Sequence, residues 1–461
     1  MGKRLVVALL PLLLVACASL PDVAHLHDGT AVAAEPTIVG SDGLLPAQRR
    51  AALLGKLERH SGATDILAYH VATEERISGR PLVAGNKVQL LADGPATMRA
   101  MREAIVEARD HINLETYIFD ADAVGHALAD LLIEKRRAGV VVNLIYDSVG
   151  SLATPREFFE RMRAAGVAVL EYNPVNPLVA RGDWKVNQRD HRKMLVVDGR
   201  TAFTGGVNIS QVYGKSALSV SKSDPAPEDA RAAAWRDTHM RIEGPAVADF
   251  QRMFLDTWRR QTGHLPAQAE YFPQLQARGK ALVRVIGSTP ARDHFAVYQT
   301  YVSAFTHAER SIHITTAYFV PDREVLRAMK EAARRGVDVK VIFPSFSDVD
   351  LLLHAGRSFY GELLRAGVRV YERKAAMLHA KTAMIDGVWS TIGSTNLDIR
   401  SFLHNDEINA VILDVEFAQR MEALFEHDLS ESVEIRYEEW RQRGIGARIR
   451  EWGARLFQYW L

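Results

Sequence analysis

The chain has 461 residues, of which 48% are hydrophobic and 25% are charged. This length is sufficient for two or three domains, and this composition is typical of a globular protein rather than a disordered or multi-spanning one. The formal net charge is only +1 at pH 7. Because nucleic-acid-binding proteins usually carry a clear basic excess, the charge gives no support for a nucleic-acid partner.

The amino terminus is arranged like a cleaved leader. Lys3 and Arg4 precede an apolar run from Leu5 to Ala16, and those 12 residues are too few to span a bilayer as a helix. The only cysteine, Cys17, follows in the sequence Leu-Val-Ala-Cys, which resembles the lipobox of bacterial lipoproteins. An ordinary signal peptide with a chance cysteine is the alternative. We expect residues 1–16 to be a lipoprotein signal peptide and Cys17 to be lipidated.

Lipidation of Cys17 would hold the mature protein on a membrane, facing the periplasm. By resemblance to other lipoproteins, the presence of Ala18 rather than Asp after the cysteine favours the inner leaflet of the outer membrane over the inner membrane. Residues 17–45 are rich in small residues, Asp and Pro, and this composition predicts a tether.

The remainder of the chain is a duplication. Each half gives a strand, a helix that ends in basic residues and glycine, an apolar strand and another helix, and the opening strands are Ile112–Phe119 and Ile312–Phe319. Strands that alternate with helices predict an α/β fold with a mostly parallel or mixed sheet in each half. The predicted segments are a first half over 46–262, a linker over 263–281, a second half over 282–432 and an amphipathic segment over 433–461.

Two stretches of the first half stand apart from the repeat. Ala47–His60 has a helical pattern, and we expect this helix to cap the first domain. Tyr213–Ala232 is polar and special to the first half, which predicts a surface loop that could gate a functional site.

One pattern, H-x-K-x-x-x-x-D, follows the second helix in both halves. The candidate catalytic residues are therefore His191, Lys193, Asp198, His379, Lys381 and Asp386. An asparagine, Asn208 or Asn396, lies ten residues after each aspartate. Two matching copies in register are a strong signal, since one match by chance is already rare.

Strand geometry assigns roles within the motif. Side chains alternate along a strand, so the histidine and lysine of each copy point to the same side. Asp198 and Asp386 lie an odd number of positions further on, and we expect them to be structural acceptors for backbone or basic groups. Imidazole, ammonium and amide groups together suit a phosphodiester, whose non-bridging oxygens need positive charge and donors.

Two such halves facing each other would place two histidines on opposite sides of one phosphorus atom. One histidine can then attack in line while the other protonates the leaving alcohol. This scheme needs no metal, and the sequence has no cysteine cluster or His-x-x-x-His spacing that would indicate one.

An attacking histidine must be neutral and in the correct tautomer, and a carboxylate on its second ring nitrogen would fix that tautomer. Asp237 and Glu407 hold equivalent places before the strand that follows each motif. Our hypothesis is that Asp237 orients His191 and that Glu407 orients His379.

The duplicated motif resembles that of the phospholipase D superfamily, with coverage from about Asn86 to Ser432. Tyr318–Pro321, Gly393–Ser401 and Gly205–Ile209 are similar to segments of bacterial cardiolipin synthases. The resemblance implies two α/β/α sandwich halves with mixed sheets and the active site between them. It also implies phosphatidyl transfer through a phosphohistidine to a phosphatidylglycerol hydroxyl, with no metal or other cofactor.

By the same resemblance, His191 and His379 are nucleophile and acid/base. Phosphate is held by Lys193, Lys381, Asn208 and Asn396. The near-symmetry of the halves leaves open which histidine attacks, and His191 is our choice. The expected partners are phospholipid substrates and a membrane surface, without nucleic acid.

Three other functions fit parts of the sequence. A phospholipase D hydrolase would pass the same intermediate to water and release phosphatidic acid. A periplasmic phosphodiesterase or nuclease is disfavoured by the near-zero net charge and the lipid anchor. A non-catalytic phospholipid-binding scaffold would require a damaged motif, whereas both copies here are intact.

The carboxy terminus has an amphipathic helical pattern with tryptophan and arginine. Its apolar face consists of Ile445, Ile449, Trp452, Leu456 and Trp460. Such a helix suits the interface of an anionic bilayer, and it equally suits docking on its own domain.

Overall fold

The computed structural model describes residues 19–27, 35–176, 178, 184–185, 187–225 and 232–461. The predicted signal peptide and Cys17 lie outside these described residues, so cleavage and lipidation stay predictions. Within the described ranges, no helix has both the length and the apolar character needed to cross a membrane.

The first half of the chain contains eleven strands and seven α-helices among its described residues. The strands are β1 (Ile38–Gly40), β2 (Gly43–Leu44), β3 (Leu82–Leu91), β4 (His111–Thr116), β5 (Val141–Asp147), β6 (Ala168–Tyr172), β7 (Arg189–Asp190), β8 (Met194–Val197), β9 (Thr201–Gly205), β10 (Trp235–Arg236) and β11 (His239–Glu243). The helices are α1 (Ala24–His27), α2 (Ala47–Ser61), α3 (Val71–Ser78), α4 (Gly94–Glu107), α5 (Ala123–Arg137), α6 (Arg156–Ala164) and α7 (Val247–Thr262).

The second half follows after residues 263–280, which form neither helix nor strand. Its strands are β12 (Ala281–Ser288), β13 (Ser311–Thr316), β14 (Phe319–Val320), β15 (Asp338–Pro344), β16 (Arg369–Arg373), β17 (Met377–Leu378), β18 (Lys381–Ile385), β19 (Trp389–Gly393), β20 (Leu397–Asp398), β21 (Asn405–Leu413) and β22 (Ser432–Ile435). Its helices are α8 (Ala296–His307), α9 (Arg323–Arg334), α10 (Asp350–Arg357), α11 (Tyr360–Arg365), α12 (Ile399–Leu403), α13 (Val415–Ser430), α14 (Tyr437–Arg441) and α15 (Ile445–Arg455).

The two halves share one order of seven strands, to which the second half adds β22, antiparallel to β16 at the edge. The strand order is β6-β5-β4-β8-β9-β11-β3 in the first half and β16-β15-β13-β18-β19-β21-β12 in the second. In each order the first three strands are parallel and the others antiparallel, so both sheets are mixed. Strand β3 also pairs with β12, which joins the two sheets. The duplication predicted from the sequence is confirmed.

Helices cover both faces of the joined sheet. On one face, α7 and α13 pack in a central apolar cluster that takes side chains from both halves. On the other face, α4, α5 and α6 cover the first half, and α8, α9 and α11 cover the second. The predicted α/β/α layering is therefore confirmed, and the central cluster is the part of the core that the halves share.

The amino-terminal segment packs on the second half, which corrects two predictions. Leu57 of α2 belongs to the apolar cluster of the second half, and the Thr64 hydroxyl donates to Asp386 Oδ2 at 2.7 Å. The expectation that Ala47–His60 caps the first domain is therefore wrong. An amphipathic stripe shows which face of a helix is buried but not which surface buries it.

The predicted tether is also wrong for its described part. Val23 and Leu26 are buried in the same cluster of the second half, and β1 pairs in parallel with β3. Small residues, Asp and Pro permit a free linker, but these few apolar side chains gain more from burial than the segment loses in chain entropy.

Candidate functional site

Each histidine motif is held in place by the opposite half of the chain. Strand β7, just before His191, pairs in parallel with β21, and the His191 amide donates to the carbonyl oxygen of Asp406 at 2.9 Å. Strand β17, just before His379, pairs in parallel with β10, and the His379 amide donates to the carbonyl oxygen of Arg236 at 2.7 Å. Both histidines are therefore positioned by main-chain pairing across the interface between the halves.

The two histidines contact carboxylates across that interface. His191 Nδ1 lies 3.0 Å from Glu407 Oε1, and His379 Nδ1 lies 2.7 Å from Asp237 Oδ2. Asp237 and Glu407 are therefore the acids that the sequence indicates, but the predicted pairing is wrong because the partners are exchanged. Equivalent places before the strand that follows each motif identified both acids, whereas the crossed strand pairing decides which histidine each one meets.

Both carboxylates are themselves held by further groups. The Ser394 hydroxyl donates to Glu407 Oε2, and the Thr238 amide donates to Asp237 Oδ1 at 2.7 Å. Gly206 is required beside Asp237, since a Cβ at that position would come within 2.1 Å of Oδ1. The repeated Gly-Gly and Gly-Ser dipeptides after each motif are the sequence signal for this support.

The aspartates of the motif are structural, as expected. Asp198 has φ 51° and accepts hydrogen bonds from the backbone amides of residues 109–111. Asp386 has φ 54° and accepts from the amides of residues 309–311 and from Thr64. Each lies at the far end of its strand from the histidine, so Asp198 and Asp386 lock the hairpin and are removed from the catalytic candidates.

The two lysines point to the same side as the histidines, as strand alternation predicts. Lys193 Nζ donates to the carbonyl oxygen of His191, and Lys381 Nζ donates to that of His379. Burial lowers the pKa of Lys193 to about 7 and the pKa of Lys381 to about 8. Burial disfavours the charged form of both amines, and an anion bound next to them would raise their pKa values and keep them protonated.

Burial keeps both imidazoles neutral. It lowers the pKa of His191 to about 4, and burial together with the Lys381 charge lowers the pKa of His379 well below its usual value. A neutral ring whose Nδ1 proton faces a carboxylate has its lone pair on Nε2. Both rings therefore present a free basic nitrogen on the side away from their carboxylate.

The two carboxylates differ in character. Burial would raise the pKa of Glu407, but His191 and Lys193 outweigh burial and hold that pKa below its usual range. Burial raises the pKa of Asp237 to about 6. Glu407 is thus ionised at neutral pH, whereas the pKa of Asp237 lies close to neutral pH.

The motif asparagines lie at the site but in different surroundings. Asn208 Oδ1 accepts from the Ile118 amide at 3.2 Å, and its Nδ2 donates to the Tyr213 hydroxyl at 3.2 Å. Asn396 Oδ1 is buried and has no hydrogen-bond partner among the described residues. Phosphate binding by Asn208 and Asn396 stays a prediction.

Several aromatic side chains at the site were not predicted. The Tyr213 hydroxyl lies 3.1 Å from His379 Nδ1, and the Trp235 ring centroid lies 5.0 Å from that of His379. Tyr117 meets His191 edge to face at 5.0 Å. Tyr213 is the first residue of the loop that the sequence predicts to gate the site, and it is buried against the histidine of the other half. The sequence signal that could have identified Tyr213 is that this loop occurs in one half only.

The comparison with protein families agrees with this geometry. A family model described as "Cardiolipin synthase, PLD-like domain" matches residues 101–215 and 301–429, one copy for each histidine motif. The chain belongs to the cardiolipin synthase family. It is therefore an enzyme of the phospholipase D type.

Individual relatives in this family align over most of the chain. The cardiolipin synthase of Geobacillus sp. (strain WCH70) is 36% identical over 384 residues, which cover 83% of this chain and 74% of that protein. Cardiolipin synthase 1 of Bacillus anthracis is 33% identical over 393 residues, with the same two shares.

A solved structure supports the fold of this family member. The phosphatidylserine synthase of Haemophilus influenzae Rd KW20 superposes with a TM-score of 0.62 and covers 84% of this chain and 98% of its own. The sequence identity is 14%, so this similarity bears on the fold alone. The duplicated phospholipase D-like fold expected from the sequence is confirmed.

The exchanged pairing can be tested by ¹⁵N NMR of histidine-labelled protein. Glu407→Gln removes the anion that faces His191, so we expect the His191 ring to change to a mixture of tautomers while His379 keeps its Nδ1–H form. Asp237→Asn should do the reverse. Signals are assigned with His191→Gln and His379→Gln, and the exchanged pairing is wrong if Glu407→Gln alters only His379.

Proposed function

We propose that this chain transfers a phosphatidyl group from a phospholipid donor to the hydroxyl of phosphatidylglycerol through a covalent phosphohistidine. The observation that carries the proposal is the pair of neutral histidines, each oriented by a carboxylate from the opposite half. Two lysines accompany them on the same side of the strands. This arrangement suits a single phosphodiester held at the interface between the halves.

The first step forms the intermediate. Nε2 of His191 attacks phosphorus, and the bond from phosphorus to the leaving alcohol breaks. The anionic phosphodiester favours the protonated ring of His379, which donates its proton to the leaving oxygen. In the second step His379 takes the proton of the acceptor hydroxyl, whose oxygen attacks phosphorus and releases His191.

The contrast between the two carboxylates supports His191 as the nucleophile. A phosphohistidine carries positive charge on its ring, and that charge needs an anion at Nδ1 throughout the lifetime of the intermediate. Glu407, with its lowered pKa, meets this need. Asp237, whose pKa lies at about 6, suits a ring that gains and loses a proton in each cycle.

Phosphate binding falls to the lysines and asparagines of the two motifs. Lys193 and Lys381 would neutralise the non-bridging oxygens, with Asn208 and Asn396 as additional donors.

The reaction is tested with vesicles of phosphatidylglycerol, with and without phosphatidylethanolamine, and with products identified by mass. We expect cardiolipin, and we expect His191→Asn and His379→Asn each to lower its formation at least about 1,000-fold. The control is His60→Asn on the exposed face of α2. Phosphatidic acid as the sole product would instead make the chain a hydrolase, and full activity in either histidine variant would refute the mechanism.

The rate should depend on pH in a narrow window. Asp237 loses its negative charge as the pH falls through about 6, and Lys193 loses its positive charge as the pH rises through about 7. We therefore expect a bell-shaped profile of kcat/KM between these limits, because this ratio reports the groups of the free enzyme.

Two variants separate the groups behind the acidic limb. Asp237→Asn should abolish that limb along with most of the activity. Glu407→Gln should keep the limb near pH 6, since the pKa of Glu407 lies below its usual range. A wild-type profile that is flat between pH 5 and 9 would contradict this assignment.

We also propose that α15 and the residues after it dock on an anionic membrane. The apolar side chains of this segment face solvent, with exposed fractions of 75% at Ile445, 62% at Ile449 and 65% at Trp452. The opposite side of the helix holds it to the protein, since Arg455 pairs with Glu362 at 3.1 Å and Ala454 is buried in the apolar cluster of the second half. The helix can therefore dock on its own domain and still present an apolar stripe to a membrane.

The position of this segment supports lipid docking. The Tyr459 ring packs edge to face on His404 at 5.6 Å, and His404 directly precedes β21, the strand that carries Glu407. Exposed arginines flank the stripe, as required for anionic headgroups. A membrane bound here would lie beside the strand that orients His191.

Flotation with phosphatidylglycerol vesicles tests this docking. Ile449→Asp combined with Trp452→Asp should reduce vesicle binding at least about tenfold, because charged groups replace the apolar stripe. Leu44→Asp combined with Leu265→Asp is the matched control, since both leucines are exposed elsewhere. Equal flotation of the stripe variant and the control variant would show that the stripe is not the docking surface.

Lipidation at Cys17 remains our proposal for permanent attachment, with the protein on the periplasmic side, in the inner leaflet of the outer membrane. The lipobox-like sequence supports it. One lipid anchor and one interfacial helix together would give the two signals that stable membrane binding requires.

A further inference from the structure

A cavity of about 440 Å³ lies beside the connection between β7 and β8 that contains His191, and Arg192 of that connection lines it. Its walls come from the end of α3, from α7 and from the end of β12 with the turn that follows. Its polar lining is dominated by Arg80, Arg192, Arg259, Arg260, Arg292 and His294. We name this cavity the basic basin. Five guanidinium groups around one cavity are the arrangement that proteins use to bind phosphate groups.

The floor of the basin is Arg192, the residue between the histidine and the lysine of the first motif. The His191 side chain does not line the basin and faces Glu407, whereas Arg192 lies in the connection between β7 and β8 and its side chain lines the basin. Its guanidinium donates to the Thr257 hydroxyl at 2.8 Å and to the carbonyl oxygen of Ser288 at 2.9 Å. Its Nε donates to the carbonyl oxygen of Glu407 at 3.2 Å, which connects the basin to the acid that orients His191.

The arginine at the floor of the basin is absent from the second copy of the motif. The second motif has Ala380 at the position of Arg192, so the histidine and lysine do not need an arginine between them. Arg192 is nevertheless buried, with 3% of its side chain exposed. Its charge is compensated by Glu115 at 3.7 Å and by Asp406 at 3.6 Å, and the second motif, residues 379–386, has no equivalent arginine to form a basin floor.

The carboxylates near the basin neutralise its floor more than its rim. Asp406 lies 2.7 Å from Arg260 and 3.6 Å from Arg192. At the rim, the Arg80–Asp249 pair is long, at 3.9 Å. The Arg259–Asp256 pair is likewise long, at 3.7 Å.

The rim arginines are also the accessible ones. The exposed fraction of the side chain is 43% for Arg80 and 65% for Arg259. Long, exposed ion pairs contribute little stability. The rim guanidinium groups can therefore turn toward an anion at small cost.

We propose that the basic basin binds a phosphate-class anion, either a free phosphate or a phospholipid headgroup, and that its occupancy is transmitted through Arg192 to Glu407 and His191. An anion in the basin attracts the Arg192 guanidinium, whose Nε holds the main chain at Glu407. The basin then acts as an effector site. The transmission, but not the binding, rests on the proposed function of His191.

Binding is measured by calorimetry on the full chain at constant ionic strength, with inorganic phosphate and with dihexanoyl phosphatidic acid below its micelle concentration. Arg292 lines the basin and is exposed, so it is also a rim arginine. Arg259→Gln combined with Arg292→Gln removes two rim arginines outside the catalytic residues. Arg99→Gln combined with Arg156→Gln is the control, because it makes the same change of charge at exposed positions elsewhere. We expect the rim variant to lose at least tenfold in affinity and the control to lose none.

The two anions distinguish the sources. If dihexanoyl phosphatidic acid binds more tightly than inorganic phosphate, the ligand of the basin is a lipid headgroup. If the two bind equally, the ligand is free phosphate. Identical affinities of wild type and rim variant for both anions would overturn the basin as a site. In the transferase assay we expect phosphate to inhibit wild type with a noncompetitive component that the rim variant lacks. If phosphate binds to the basin but its inhibition has no noncompetitive component, the transmission through Arg192 is wrong and the basin remains a binding site. This conclusion does not depend on which reaction the enzyme catalyses.

Discussion

The exchange of carboxylates between halves is the constraint on which the rest of the structure depends. Glu407 reaches His191 and Asp237 reaches His379 only because β7 pairs with β21 and β10 pairs with β17. Neither half can orient its own histidine. A chain whose halves separated would lose both oriented rings at once, so the shared central cluster beneath α7 and α13 serves the geometry of the site as well as stability.

The halves are alike in fold and unlike in what surrounds their motifs. Tyr213 and Trp235 crowd His379, whereas His191 faces Glu407 with its depressed pKa and is followed by Arg192, which donates to the Glu407 carbonyl oxygen. Sequence symmetry alone treats the two histidines as equals. The asymmetry comes from residues outside the repeated pattern, and it is these residues that give each ring a separate electrostatic character.

The sequence was sufficient for features that depend on local periodicity. Alternation along a strand placed each lysine with its histidine and sent Asp198 and Asp386 to structural roles. It could not pair Asp237 and Glu407 with the correct histidines, because their equivalent places in the two halves do not reveal that β7 pairs with β21 and β10 with β17. Nor could it place Ala47–His60, since the partner of an apolar stripe is set by tertiary contacts such as that between Thr64 and Asp386.

Burial of the site bears on the choice between transfer and hydrolysis. His191 and His379 are 6% and 4% exposed, and Lys193 and Lys381 are 2% and 1% exposed. Water competes with the acceptor hydroxyl for a phosphohistidine, and a closed site lowers the concentration of water next to phosphorus. A lipid acceptor arriving from a membrane held beside β21 would be present at high local concentration. Under the proposed mechanism, desolvation that keeps the imidazoles neutral therefore also favours the alcohol over water.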